Sequence, residues 1–310
     1  MKNDIIFLKP VLKEMIWGGN RLREFGYDLP SEHTGECWGI SAHPNGDCVV
    51  DGGIFDGWTL SNLWKTHREL FGGMNQERFP LLIKIIDAKK DLSIQVHPDD
   101  AYACKYEHGS FGKTECWYVL ECDSNGEIVI GHHAKNKSEL KEMIGQKRWK
   151  DLIRTIPVKK GDFFQINPGC VHAIKAGTLI LETQQNSDIT YRLYDYDRLE
   201  NGNPRKLHIS QSMDVMEIPF HPLDSKPSIE QREGIQITTF IRCPYYEVKK
   251  LDISGKGTLQ FHQPFVNVSV IDGEGSIDGK WINKGKHFII PSGYGRCILE
   301  GELSLIISTV

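Results

Sequence analysis

The sequence of 310 residues lacks any apolar run approaching the roughly 20 residues of a membrane-spanning helix, and its polar start, Met1-Lys2-Asn3-Asp4, is unlike a signal peptide. It also lacks long runs of like charge, and its net charge is −4. Together these absences predict a cytoplasmic protein that binds neither membranes nor nucleic acids. A local basic pocket for a small anion remains compatible with them.

Two familiar motif classes are missing as well. The eight cysteines form no Cys-x-x-Cys pair and follow no regular spacing, which predicts reduced thiols rather than disulfides or a zinc ribbon. No Gly-rich phosphate loop is present, and Gly72-Gly73 is more simply a helix stop. Any anion site must therefore be built from side chains.

Short strand patterns separated by glycine turns are what the sequence does contain, above all from Ile156 onward. This pattern predicts a β-sandwich or barrel. Helical segments are expected at about 61–71, 99–106 and 138–150. A polar, proline-containing stretch at 219–232 suggests a division into a larger domain, 1–232, and a smaller β domain, 233–310.

An internal repeat supports two related β units. Segments 161–172 and 285–296 align without a gap and share four positions, namely Gly161/Gly285, Phe164/Phe288, Ile166/Ile290 and Gly169/Gly293. Glycines at both ends of a strand, with a Pro-Gly turn, are typical of a jelly-roll hairpin. The first copy ends in His172 where the second has Arg296, so we expect any metal site in the first unit alone.

One strand-like segment carries a pair of possible metal ligands. Gln95 and His97 are two residues apart, which places both side chains on one face of a strand, opposite Ile94 and Val96. Such a polar face is either a hydrogen-bonded polar core or the floor of a site. The pair alone does not decide between the two.

Four motifs together resemble a known family. Segment 161–172 is similar to the second motif of the cupin superfamily, and Gln95-Val96-His97 with Glu115 is similar to the first, with Gln for the first His and a longer gap to Glu. Ser-Ile-Gln-Val-His-Pro-Asp at 93–99, Gly-Lys-Thr-Glu-Cys-Trp at 112–117, Pro-Gly-Cys-Val-His-Ala at 168–173, and Glu182 ten residues before Arg192 resemble the type I mannose-6-phosphate isomerase family in its short bacterial form. The resemblance covers about residues 5 to 310.

This resemblance implies a mainly β fold, a cupin-type jelly-roll barrel with a helical insertion, followed by a smaller metal-free cupin-like β unit. It also implies one zinc ion per chain, held by Gln95, His97, Glu115 and His172. Two imidazoles, a carboxylate and an amide oxygen suit zinc and leave room for water or substrate.

The implied reaction is the interconversion of mannose 6-phosphate and fructose 6-phosphate, an aldose-ketose isomerisation through a cis-enediol(ate). The expected catalytic residues are Arg192, Lys113 and Glu182, with the base left open between groups. The expected substrate or phosphate contacts are Ser93, Lys84 and Arg198. We expect a monomer that acts on a small hexose phosphate.

Two other readings stay open at this point. A cupin-type non-haem iron oxygenase would use a similar pocket, although Gln95 in place of a histidine disfavours it. A sugar-binding or regulatory cupin without activity is disfavoured because Lys113, Glu182 and Arg192 accompany a full ligand set.

Overall fold

The computed structural model describes residues 4–223 and 226–310, and its architecture is mainly β, as predicted. Two sheets enclose the predicted site. In spatial order, the six-stranded sheet consists of Phe163–Ile166, Glu115–Cys122, Thr178–Gln185, Leu81–Ala88, Thr34–Ile40 and Val11–Glu14. The five-stranded sheet consists of Ile153–Pro157, Glu127–His132, His172–Ile174, Ile94–Val96 and Tyr191–Tyr194.

A third, nine-stranded sheet contains the C-terminal region. Its main path runs Ser228–Arg232, Ile235–Arg242, Glu247–Gln260, Arg296–Thr309, Val266–Ile277, His287–Ile290, Ile6–Lys9 and Val49–Val50, and Lys280–Asn283 pairs with Val266–Ile277. Two small hairpins, Ala42–His43 with Gly46–Asp47 and Leu199–Glu200 with Asn203–Pro204, complete the strands. The predicted division at residue 232 stays a prediction, and two strands from the first 50 residues belong to this C-terminal sheet.

The α-helices span Leu60–Thr66, Asp100–Tyr106, Lys137–Gly145, Trp149–Leu152 and Ile209–Val215, with 3-10 helices at Arg21–Phe25, Gly53–Phe55 and Arg68–Phe71. Helix Leu60–Thr66 begins at Thr59, whose side chain accepts a hydrogen bond from the Asn62 backbone. Helix Lys137–Gly145 is capped by Asn136, whose side chain accepts a hydrogen bond from the Glu139 backbone. Among the described residues, no helix is long and apolar enough to cross a membrane.

The six-stranded sheet lies between the other two and is buried on both faces. Along Leu81–Ala88, Leu81, Ile83 and Ile85 join a core shared with the nine-stranded sheet, whereas Ile86 and Ala88 join a core shared with the five-stranded sheet. Because side chains alternate along a strand, Lys84 shares the face of Ile86. The gap between the six- and five-stranded sheets thus has an apolar end and a polar end.

The internal repeat corresponds to equivalent backbone turns. Gly161 and Gly285 have φ of 90° and 93°, and Gly169 and Gly293 have φ of 85° and 71°. These left-handed values favour glycine, which explains why the repeat retains it at both ends of each strand. All eight cysteines are free thiols.

A buried histidine joins the nine-stranded sheet to the six-stranded sheet. His287 lies against Tyr27 Oη, 2.8 Å from Nε2, and against Ser269 Oγ, 2.8 Å from Nδ1. Its ring packs over Gly39, where an added Cβ would lie 2.3 Å from the ring. The contact therefore requires glycine at position 39.

Candidate active site

Backbone pairing brings the predicted ligands to the polar end of the gap between the two sheets. His172 pairs with Gln95 in the five-stranded sheet, and Arg192 pairs with Gln95 from the other side. Glu115 faces them from the six-stranded sheet, where it pairs with Gln184. Glu115 shares its face with Trp117 and Val119, because side chains alternate along a strand, while Cys116 points into the opposite core.

His97, Glu115 and His172 form a buried cluster of potential metal ligands. One ligand atom from each lies within 4.8 Å of the others. His97 Nε2 is 3.1 Å from His172 Nε2, and the Glu115 oxygens lie 3.5 Å from His97 Nε2 and 3.4 Å from His172 Nε2. Within the described part of the chain, this is the one such group of three or more His, Cys, Asp or Glu side chains.

Backbone carbonyls fix the orientation of both imidazoles. His97 Nδ1 donates to the Ile189 carbonyl at 2.7 Å, and His172 Nδ1 donates to the Cys170 carbonyl at 2.9 Å. Both Nε2 atoms consequently carry lone pairs directed at the Glu115 carboxylate and at each other. Three electron-rich groups this close repel unless a cation lies between them, and carbonyl-anchored imidazoles are typical of metal ligands.

Gln95 lies beside this cluster, with its amide nitrogen 3.2 Å from His172 Nε2 and its amide oxygen 3.5 Å from Ser93 Oγ. Rotation of the amide by a half-turn exchanges the two atoms and would present the oxygen to the cluster. Gln95 can therefore supply a fourth, neutral ligand.

Burial and neighbouring charge set the protonation of the cluster. Burial lowers the pKa of His97 to about 3, with the Lys113 ammonium acting in the same direction, and burial also lowers the pKa of His172. Burial would raise the pKa of Glu115, but the Lys113 ammonium holds it well below its usual range. Neutral imidazoles and an ionised carboxylate are the forms that bind metals.

Lys113 forms the nearest cationic contact. Its Nζ lies 2.8 Å from Glu115 Oε2, and both side chains are buried. Burial would lower the pKa of Lys113, but the Glu115 and Glu182 carboxylates raise it. Lys113 is thus a charged group beside the ligand cluster.

Glu182 lies on the adjacent strand and contacts one hydrogen-bond donor and one ammonium group. Trp117 Nε1 donates to its Oε2 at 2.9 Å, and Lys84 Nζ lies 3.5 Å from its Oε1. Burial and the Glu115 carboxylate raise the pKa of Glu182. Lys84 also lies 3.9 Å from Glu36, so one ammonium serves two carboxylates.

A cavity of about 260 Å³ lies beside this cluster, and its wall includes Gln95 and Lys113, which contact His172 and Glu115. Its lining includes the predicted residues Lys84, Ser93, Gln95, Lys113, Glu182 and Arg192. Five basic side chains and three acidic ones line it, namely Lys13, Lys84, Lys113, Arg192, Arg205, Glu36, Glu182 and Asp188. Cavities of about 720 and 560 Å³ elsewhere contain none of the predicted residues, so volume alone does not identify the site.

Among the predicted catalytic and substrate-contact residues, Arg198 is the one that does not line this cavity. Its guanidinium binds the Asp195 carboxylate, the Asp195 carbonyl and the Asp91 carbonyl. Arg205 occupies the cavity wall instead and forms two hydrogen bonds with Asp195, at 2.7 and 2.6 Å. Direct contact between Arg198 and substrate stays a prediction.

Several lining residues were not foreseen from the sequence. Trp38 lies between two ammonium groups, with Lys13 3.8 Å and Lys84 4.9 Å from its ring centroid, and its indole donates to Glu36 at 2.6 Å. Asp188 lies opposite His43, and hydrogen bonding by His43 lowers its pKa to about 2. The alternation of Glu36 and Trp38 on one strand was the available signal for this wall.

Comparisons with known proteins identify relatives over the whole chain. Residues 5–118 match the family model "Phosphomannose isomerase type I, catalytic domain", and residues 236–310 match "Mannose-6-phosphate isomerase, cupin domain". The chain is 50% identical to the mannose-6-phosphate isomerase ManA of Bacillus subtilis, over 99% of each chain. It is 48% identical to a mannose-6-phosphate isomerase of Streptococcus mutans, over 98% of this chain and 97% of that one.

A solved structure shows the same architecture. The crystal structure of the mannose 6-phosphate isomerase from Bacillus subtilis matches with a TM-score of 0.98 at 48% identity, over 99% of this chain and 100% of that chain. The predicted fold class, with a cupin domain, is confirmed by this match and by the cupin-domain model at 236–310.

Proposed function

The chain belongs to the type I phosphomannose isomerase family, and from that membership and the site geometry we propose that it interconverts mannose 6-phosphate and fructose 6-phosphate. The observation that carries the proposal is the buried His97-Glu115-His172 cluster, which contacts Gln95 and Lys113 in the wall of a cavity with an excess of basic side chains. The net charge of the chain is −4, so this local positive charge is a property of the site. It suits a phosphorylated sugar.

We propose zinc as the metal, one ion per chain, with Gln95, His97, Glu115 and His172 as its ligands. Nitrogen and oxygen donors of this kind, with both imidazoles anchored through Nδ1, fit zinc. A bound zinc ion would act as a Lewis acid toward the oxygens on C1 and C2 of the sugar.

The protein groups would supply charge and proton transfer around those two carbons. Isomerisation removes the proton from C2 of the aldose, passes through a cis-enediol(ate), and returns a proton to C1. Arg192 and Lys113 are positive charges at the cavity wall that would stabilise the developing negative oxygen. Glu182, hydrogen-bonded to Trp117, is a carboxylate that could hold a substrate hydroxyl or carry the proton.

Ser93 and Lys84 line the cavity and are proposed to contact the substrate, together with the expected contribution of Arg198. We further propose that the chain acts as a cytoplasmic monomer and that residues 1–232 and 233–310 behave as its two domains.

Measurement of metal content and of isomerisation in the same samples tests the proposal. Purified protein should contain about one zinc per chain and convert mannose 6-phosphate to fructose 6-phosphate. Chelation should abolish turnover, and added zinc should restore it. Activity that survives complete removal of metal would contradict the zinc mechanism.

Variants separate metal binding from later steps. His172→Ala should lose metal and turnover, whereas Arg192→Ala should keep its metal and lose turnover. His133→Ala, which changes an exposed histidine, is the matched control and should change neither. A wild-type protein that holds metal and binds sugar phosphate without turnover would instead support the non-catalytic cupin alternative.

A further inference from the structure

A pair of arginines sharing one buried aspartate lies at the end of the strand that carries Arg192. Asp195 is 4% exposed in its side chain and pairs with both Arg198 and Arg205. These two guanidinium groups hold the pKa of Asp195 below its usual range, although burial opposes them. The aspartate is therefore a shared anion that fixes two cations.

The two arginines differ in how many guanidinium nitrogens already have hydrogen-bond partners. Arg198 uses all three of its guanidinium nitrogens on Asp195 and on the Asp91 carbonyl. Arg205 uses Nε and Nη2 on the Asp195 carboxylate, and the described residues give no partner to its Nη1. Since a guanidinium carries five N–H groups, Arg205 retains three donors after this bidentate contact.

Of the two arginines, only Arg205 lines the cavity. Arg205 lines it together with Ser93, Thr190 and Arg192, whereas Arg198 does not. Arg192 Nε is buried there without a hydrogen-bond partner among the described residues. This corner thus presents unused, charged donors from two guanidinium groups, beside a hydroxyl.

The corner lies at a suitable place for the phosphate of a hexose phosphate. Ser93 precedes Gln95 by two residues, and its Oγ lies 3.5 Å from Gln95 Oε1, so this corner adjoins the residue that lies beside the His97-Glu115-His172 cluster. The reacting carbons and the phosphate occupy opposite ends of the substrate. A substrate with C1 and C2 at the cluster would therefore extend its phosphate away from it, toward this corner.

We infer that Arg205 is the arginine of the Asp195 pair that binds the substrate phosphate, and that Asp195 and Arg198 are positioning residues that hold its guanidinium in the cavity wall. The inference rests on the proposed isomerase function. It names a different contact from Arg198, the residue to which the family resemblance points. Arg205 would thereby contribute to selection of phosphorylated over free sugars.

Steady-state kinetics of Arg205→Ala and Arg198→Ala, compared side by side, test the inference. Arg205→Ala should raise KM for mannose 6-phosphate at least about tenfold, a loss of about 1.4 kcal/mol in binding, and Arg205→Lys should recover part of it. Arg198→Ala should change KM less than Arg205→Ala. Arg148→Ala, which removes an exposed ion pair with Asp151, is the control and should match wild type.

Asp195→Asn tests the positioning role. It should raise KM with a smaller change in kcat, and weaken inhibition by inorganic phosphate in parallel with Arg205→Ala. Metal content and thermal unfolding of each variant show whether the fold is intact, and Arg205→Lys provides the milder substitution should Arg205→Ala not fold.

A larger KM effect from Arg198→Ala, or an unchanged KM in both folded Arg205 variants, would overturn the inference. Failure of the proposed function is distinguishable from failure of this inference, because the wild-type protein itself would then not turn over mannose 6-phosphate.

Discussion

The Lys113–Glu115 pair offers a quantitative test of how the ligand cluster is stabilised. Its atoms are 2.8 Å apart, and the side chains are 5% and 0% exposed. Replacing Glu115 with Gln leaves a buried ammonium without its nearest carboxylate. Breaking a buried pair costs about 3–5 kcal/mol, and we expect the lower end, about 3 kcal/mol, because Glu182 still faces Lys113.

A double-mutant cycle isolates this interaction. Glu115→Gln, Lys113→Met and the double variant would be unfolded with urea after chelation, with fluorescence and circular dichroism required to give coincident transitions. The double variant should be more stable than the sum of the single losses predicts, with a coupling of about 2–3 kcal/mol. The exposed pair Lys256–Glu300, at 2.9 Å, is the control and should couple by less than about 1 kcal/mol.

The pH dependence of the coupling follows from the two pKa shifts. The folded pKa of Glu115 is lowered, so its stabilisation is present above the unfolded value of about 4.3 and is lost as pH falls through the folded value. The folded pKa of Lys113 is raised, so its stabilisation is complete below about 10.4 and is lost as pH rises through the folded value. The coupling should therefore be constant from about pH 5 to 9. Additive single losses, or a coupling that changes within this range, would refute the reasoning.

Two further predictions concern packing and catalysis. Gly39→Ala should lower the free energy of unfolding in urea by about 3 kcal/mol or more, because the added Cβ would lie 2.3 Å from the buried His287 ring. Gly145→Ala is the control, because its Cβ meets nothing within 4 Å, and its free energy of unfolding should stay within about 0.5 kcal/mol of wild type. Equal effects of the two variants would contradict the packing argument. Trp117→Phe should remove the 2.9 Å hydrogen bond to Glu182 and raise the pKa of that carboxyl further, so the acidic limb of the pH profile of kcat should move to higher pH. If the acidic limb stays in place in an active, folded variant, that limb does not report the ionisation of Glu182.

Local pattern predicted much of the ligand cluster. Two-residue alternation placed Gln95 and His97 on one face, and the repeat marked His172 as the member without a counterpart in the second unit. The shared face of Gln95 and His97 can be predicted from the sequence, because side-chain direction along a strand has a period of two and does not depend on which strands pair with it. The left-handed glycines of the repeat are equally local, since φ depends on the residue itself.

The opposite cavity wall was not predictable in the same way. Lys13, Glu36 and Trp38 lie on strands Val11–Glu14 and Thr34–Ile40, far in sequence from the candidate ligands. They reach the cavity because Thr34–Ile40 pairs with Leu81–Ala88 and Val11–Glu14 pairs with Thr34–Ile40. Which strands become neighbours depends on long-range pairing that no short window records. The same limit applies to Arg198 and Arg205. Both pair with Asp195, and only the tertiary structure shows that Arg205 lines the cavity and Arg198 does not.

By itself, the sequence determined the mainly β class, the glycine turns and the ligand types, because each follows from local geometry and side-chain chemistry. Tertiary structure alone decided that the candidate ligand atoms of His97, Glu115 and His172 lie within 4.8 Å of one another, that carbonyls of Ile189 and Cys170 anchor both imidazoles, and that Arg205 rather than Arg198 lines the cavity. Those outcomes depend on distances between segments distant in the chain, which are set when the two sheets pack together.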